Sequence, residues 1–257
     1  MPNGQNLMIR FFTISFILFI SFTSSTNFAQ SGDDDIAKKL KQVDAQVNLG
    51  DFSKALVLIE DILVMHPNNL DAQEKKINIL MQLDRSKDAI SDIDEYISMY
   101  PNSPEYYYLR AVINLQKQKY TKAIEDFNNA LRLDMPASSA YKVYLNRGMA
   151  HYYNQDFELA LNDFDEAIAL NPKSATAYHG KGMTKYEMNE YEDAIIEFQR
   201  SLKLDDTNPI THFNMAMTYF RMDDLENACY HFNKSCELGH RNACRLLMME
   251  CNINIPK

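Results

Sequence analysis

The chain has 257 residues, 46% hydrophobic and 24% charged, the balance of a soluble globular protein long enough to bury a sizeable core. Seven glycines and eight prolines leave little material for a loop-rich all-β fold. The formal charge of −9 at pH 7, with no Lys/Arg-rich block, argues against a nucleic-acid partner, because binding a phosphate backbone needs a basic surface that releases counterions.

The first residues differ in kind from the rest. Met1–Arg10 carries one charged side chain, Arg10, and no acid. Phe11–Phe22 is a weakly polar to apolar run, F-F-T-I-S-F-I-L-F-I-S-F, followed by small and polar residues with Ala29 placed for cleavage. This is the layout of a secretory signal peptide over residues 1–29. The apolar run is short of the ~20 residues that span a bilayer as a helix. An uncleaved anchor is the alternative, and membrane association is expected only in that case. The layout implies an exported protein, periplasmic or envelope-associated in a bacterium. No cysteine lies in or just after the segment to carry a lipid. Residues 30–35 read as a polar linker whose acids suit the helix N-terminus that follows.

From Ile36 onward one alanine recurs, at Ala55, Ala89, Ala123, Ala160, Ala194 and Ala228, with intervals of 34, 34, 37, 34 and 34 residues. Four residues after each stands a large apolar residue: Ile59, Ile93, Phe127, Phe164, Phe198, Phe232. Twelve before stand Val43, Ile77, Ala111, Gly148, Gly182 and Ala216. Pro67, Pro101, Pro136 and Pro172 fall where a helix must stop. Each unit therefore reads as helix, turn, helix, and the units are 36–69, 70–103, 104–137, 141–174, 175–208 and 209–242, with 243–257 a capping helix and tail. Three extra residues near Ala137–Ala140 account for the long interval; a longer loop or extra half-turn is expected, with a hinge between sub-arrays as the alternative.

This pattern resembles the tetratricopeptide repeat, a 34-residue unit with ordered aromatic, small and proline positions. The units beginning Y-Y-L-R-A, Y-L-N-R-G and Y-H-G-K-G match best. The first two depart: Lys39 and Gln73 take the usual aromatic position and Ser86 replaces the aromatic of a second helix, so the first hairpin is expected to fray or to serve as a cap. The resemblance implies an all-α fold, an α-solenoid of about six units in a right-handed superhelix with a concave groove that holds a peptide or protein segment. It implies that the first helix of each unit lines that groove. The corresponding residues are Tyr108, Val112, Leu145, Asn146, Met149, Tyr152, His179, Met183, Tyr186, Phe213, Asn214, Met217 and Phe220, a Tyr- and Met-rich strip expected to be exposed, with cover of part of it by helix packing, a folded-back N-terminal segment or a homodimer as the alternative. Asn146 and Asn214 match only the central Asn of a carboxylate clamp, so that subtype is not expected.

All four cysteines lie near the C-terminus. In an antiparallel hairpin turning near His240, Cys236 faces Cys244 and Cys229 faces Cys251. The stretch K-S-C-E-L-G-H-R-N-A-C is similar to Sel1-like repeats, whose cysteines staple two helices. Structural disulfides suit an exported protein; four small buried thiols are the other reading. Zinc is disfavoured because no C-x2-C pair exists.

Chemistry is hard to find. The six histidines are scattered, and no Ser or Cys sits in a recognisable nucleophile elbow. Gly180-Lys181-Gly182 lacks the full phosphate-loop spacing. Acids such as Asp92, Asp94, Asp163 and Asp165 read as a solvated convex face. The expected function is a non-catalytic protein-interaction scaffold with no cofactor and no metal. The alternative is a structural or assembly part of an envelope complex acting through homo-oligomerisation.

Overall fold

The structure, a computed structural model, describes residues 33–251. The leader expected over 1–29 and the linker residues 30–32 lie outside the described residues. Among the described residues there are thirteen helices and no strand. They run α1 (Asp33–Asn48), α2 (Phe52–Met65), α3 (Leu70–Gln82), α4 (Ser86–Met99), α5 (Pro104–Gln116), α6 (Tyr120–Arg132) and α7 (Ala137–Tyr153). They continue with α8 (Phe157–Leu170), α9 (Ala175–Glu187), α10 (Tyr191–Leu204), α11 (Pro209–Arg221), α12 (Leu225–Glu237) and α13 (Arg241–Glu250). Asp33–Asp35, assigned to the linker from sequence, form the first turn of α1. Contacts divide the chain into an N-terminal unit ending at 113 and a C-terminal unit beginning at 114, within α5.

In the N-terminal unit α1 packs on α2, α2 on α3 and α3 on α4. The first hairpin is formed and its interior is filled: Val43, Ala55, Ile59 and Ile62 are buried. Gln73, at the aromatic position of the second unit, is buried too. Its Nε2 donates to the Pro67 carbonyl at 2.6 Å, and its Oε1 accepts from the Tyr106 hydroxyl. A buried amide is tolerable only with such partners.

In the C-terminal unit consecutive helices from α6 to α13 pack in order. The alanines that set the repeat period have no exposed surface in either unit, and the large residue four places on is equally buried. Alanine lets one helix approach the next; the larger side chain fills the space that remains. The approach is closest around Phe164, where a Cβ added at Gly180 would lie 2.5 Å from the ring and one at Gly148 3.0 Å from it. Gly180 is therefore a packing residue. The three extra residues make no loop: Ala137–Ala140 belong to α7, which has 17 residues where the other first helices from α3 to α11 have 13.

The turns inside the hairpins share one device. Gly50, Asp84, Gln118, Gln155, Asn189 and Asp223 stand at the same place in successive units, and all have positive φ, from 55° to 75°. Only Gly50 adopts this conformation without a Cβ penalty.

Of the acids expected on a solvated face, Asp94 and Asp165 are exposed, but Asp92 is half-buried and Asp163 buried, and all four are paired with cations. One cation on the first helix reaches an acid on its own hairpin and another group on the preceding one. Lys76 lies 2.8 Å from Asp92 and 3.8 Å from Glu60, and Arg110 lies 2.6 Å from Asp94. Arg147 holds Asp163 bidentately, at 2.8 and 2.6 Å, and donates to Asn128 at 2.7 Å. Lys181 lies 2.6 Å from Asp165 and 3.6 Å from Glu197. Asp163 is only 3% exposed, which excludes it from a solvated face. No acid read singly reveals such a ladder, because its partners lie on different helices.

At the C-terminal end α13 lies on α12, and two disulfides join them: Cys229–Cys251, with Cα atoms 5.8 Å apart, and Cys236–Cys244, 4.7 Å apart. Gly239, just past the end of α12, has φ of 90°, the left-handed turn that ends a helix.

Two stability predictions follow from this packing. Gly180→Ala should cost about 2 kcal/mol in urea unfolding despite the better helix propensity of alanine, because the Phe164 ring has nowhere to move. Adding Phe164→Leu should make the second change milder than the sum of the two. Arg147→Met should cost about 3 kcal/mol, the penalty for a buried carboxylate left unpaired, and Arg147→Met with Asp163→Asn should recover much of it.

Candidate functional site

Tyr108 and Val112 stand on α5 in the N-terminal unit, Tyr108 buried and Val112 half-buried. The other residues expected to line a groove belong to α7, α9 and α11 in the C-terminal unit. These three first helices touch one another, α7 with α9 and α9 with α11. Two of them are started by local chemistry: Ser174 and Asn208 cap α9 and α11 by accepting backbone N–H groups of the first turn, whereas α7 follows Pro136 with no side-chain cap.

Cross-unit hydrogen bonds show the register. The Tyr152 hydroxyl donates to Glu187 Oε1 at 3.4 Å, and Arg221 Nε donates to the Tyr186 hydroxyl at 3.1 Å. Both steps span 35 residues, one unit plus one position. Leu145, His179 and Phe213 therefore form one row across the three helices. Met149, Met183 and Met217 form the next, and Tyr152, Tyr186 and Phe220 the third.

The expectation of an exposed strip needs correction. Leu145, Met149, Tyr152, His179, Met183, Tyr186, Phe213 and Asn214 are buried, and Met149 and Met183 keep only 9% and 4% of their surface. Asn146, Met217 and Phe220 are half-buried, and Arg221 at the end of α11 is exposed. Much of the burial has a visible cause. Tyr152 packs against Tyr153 and Phe157, Tyr186 against Tyr191, and Phe213 against Phe232 and His240. Residues large enough to line a groove are also large enough to be enclosed by their own hairpin.

The polar groups are few and mostly neutral. His179 Nδ1 lies 2.9 Å from Thr211 Oγ1, and its Nε2 lies 3.4 Å from the Asn214 amide nitrogen. That arrangement suits a neutral ring donating from Nδ1 and accepting at Nε2. Burial pushes its pKa down to about 4. Glu187 is raised from the ordinary carboxylate range by burial, an effect opposed by the Tyr152 hydrogen bond and by Arg221. On the sixth unit His212 Nδ1 lies 3.0 Å from His231 Nδ1, while His212 Nε2 donates to the Asp206 carbonyl at 3.2 Å. His231 is also pushed down to about 4, by burial first and by His212 second.

Thr211, Glu187 and Arg221 were missed in the sequence. Glu187 and Arg221 immediately follow Tyr186 and Phe220, so the register of one helix against the next would have found them. Among the described residues no group of three or more His, Cys, Asp or Glu could hold a metal ion. No helix among them is long and apolar enough to cross a membrane.

Models of the tetratricopeptide repeat match residues 40–104, 75–138 and 141–174, and a model of the TPR repeat matches 182–223, together well over half of the chain. The chain is a tetratricopeptide-repeat protein. Among curated proteins this repeat protein is similar to the DnaJ homolog subfamily C member 3 homolog of Dictyostelium discoideum. The two are 28% identical over 158 residues, which cover 60% of this chain and 30% of that protein. The chain spans less than half the length of the first curated relatives it matches, from 28% to 44%.

Two solved structures illustrate the fold of this tetratricopeptide-repeat protein. PilW, a widely conserved type IV pilus biogenesis factor, superposes with a TM-score of 0.71 at 18% identity, covering 80% of this chain and 93% of that one. YrrB, a tetratricopeptide-repeat protein with an unusual peptide-binding site, gives 0.57 at 18% identity, covering 73% and 96%. At such identities the likeness is one of fold.

The buried histidines make stability depend on pH. Both His179 and His231 have folded pKa values of about 4, below the ordinary value of 6.5. Between those values the unfolded chain binds protons that the folded chain does not. Stability is therefore complete above about pH 6.5 and falls as the pH drops towards 4, by about 1.4 kcal/mol per pH unit per histidine. Urea midpoints measured from pH 7.5 to 5.5 should decline, and His179→Gln should flatten the decline. A series that is level in the parent protein would contradict neutral, buried rings.

Proposed function

We propose that this tetratricopeptide-repeat protein is a non-catalytic scaffold that holds a peptide or protein segment along the first helices of its C-terminal unit. The observation that carries the reading is the alignment of three like rows across α7, α9 and α11, with their cross-unit hydrogen bonds. The rows are largely enclosed and fix the register of the three helices, so that a partner meets only their open margin. The accessible part is Asn146, Met217, Phe220 and Arg221, so contact centres on α11 and on Asn146 rather than on Met149 and Met183. Met217 and Phe220 supply apolar surface, and methionine adapts to varied side chains. The absence of a nucleophile elbow from the sequence supports a binding role over catalysis.

Residues 1–29 support an exported, periplasmic or envelope-associated setting. The likeness to PilW, a pilus biogenesis factor, supports the same setting and a second reading, a structural or assembly part of an envelope complex.

A photo-crosslinking amino acid placed at Asn146, Met217 or Phe220 should capture a partner protein from envelope extracts. The same group at the exposed Val57 or Leu159 should capture little. Equal capture at all five positions would sink the groove reading. Crosslinks only between copies of the chain, with a mass that rises with concentration in light scattering, would replace it with the second reading.

A further inference from the structure

α13 is a ten-residue helix, shorter than a helix that persists on propensity alone. It gives the core two buried side chains, Ala243 and Leu247. Its N-terminus is capped by His240, whose Nδ1 accepts the Ala243 N–H at 3.2 Å. It packs on α12 as α11 packs on α10, and so takes the place that the first helix of a further unit would occupy. The cluster to which it belongs contains Phe213, Ala216, Ala228 and Phe232, all buried, together with Cys236 and Cys251. Its other side carries Met248 and Met249, both exposed.

Two covalent bonds supplement this thin contact. Cys236–Cys244 closes the turn end, its partners 8 positions apart in sequence, and Cys229–Cys251 ties the far end, its partners 22 positions apart. All four cysteines are half-buried, within reach of a small thiol. The rest of the chain has no cysteine, so whatever thiol chemistry occurs is confined to this end.

We propose that α13 is a redox-releasable cap on the sixth repeat. A dithiol reductant attacks one sulfur of each bond through a mixed disulfide. Each protein disulfide takes up two electrons and two protons, and each reductant molecule leaves as its own cyclic disulfide. Four protein thiols result. Without the bonds, a ten-residue helix with two core side chains detaches and uncovers the Phe213 and Phe232 face. The far-end bond is decisive, because Cys236–Cys244 restrains only the turn that chain connectivity already holds near α12.

Hydrogen exchange read by mass spectrometry on the full chain tests this, before and after reduction with dithiothreitol. Alkylation and intact mass should confirm four thiols after reduction and none before. Residues 241–250 should exchange at least tenfold faster once reduced, while 209–232 stay protected. Cys229→Ser with Cys251→Ser should reproduce the faster exchange over 245–250 without reductant; Cys236→Ser with Cys244→Ser should not. Unchanged protection of 241–250 after full reduction would overturn the proposal. Loss of protection across 141–232 at the same time would overturn it too, by making the disulfides staples of the whole unit.

Discussion

The distance at which one helix can lie beside the next governs this molecule. The alanine of each second helix has no exposed surface, and the phenylalanine or isoleucine four places on is as deeply enclosed. Around Phe164 the fit is tight enough that neither flanking glycine has room for an unhindered methyl group. Interiors packed to this density respond to changes of a single methylene. The rows of side chains on α7, α9 and α11 fall into register because this contact repeats. The candidate site is thus a by-product of the packing, and its geometry is no better than the packing allows.

Electrostatics is layered on that frame. A cation stands at one place in four successive first helices: Lys76 and Lys181 lie between acids of two hairpins, Arg147 between Asp163 and the Asn128 amide, and Arg110 pairs with Asp94. In the sixth unit the pattern stops: Met215 stands where the cation would be and His231 where the acid would be. His231 bonds to His212 and stacks on Tyr219 instead. The last unit is thus held by neutral aromatic and imidazole contacts together with the covalent bonds to α13. The two ends of the C-terminal unit consequently respond to different conditions, one to salt and the other to acid and to thiols.

The fold was legible in the sequence because its determinants are identities at a fixed period. Alanine at one place and a large apolar residue four places later are visible without knowing any distance. The candidate site was legible only in part. Its positions keep the repeat interval and so fall into rows, yet burial depends on what neighbouring hairpins place over each residue, and period says nothing about that. Met183 and Met217 occupy the same place in successive units, and the first is enclosed while the second is half-open. The ion ladder was legible in principle: Lys76, Arg110, Arg147 and Lys181 keep the repeat interval, as do Asp92, Asp126, Asp163 and Glu197. Read singly, each acid looked like ordinary surface.

The ladder also marks where the array is joined by charge and where it is not. The group offered to the following hairpin is an acid at Glu60, Asp94 and Asp165, but an amide at Asn128. Charged joints weaken as salt screens them, whereas amide joints do not. Raising the salt therefore loosens the joints made through Glu60, Asp94 and Asp165 and leaves the one made through Asn128 nearly as it was.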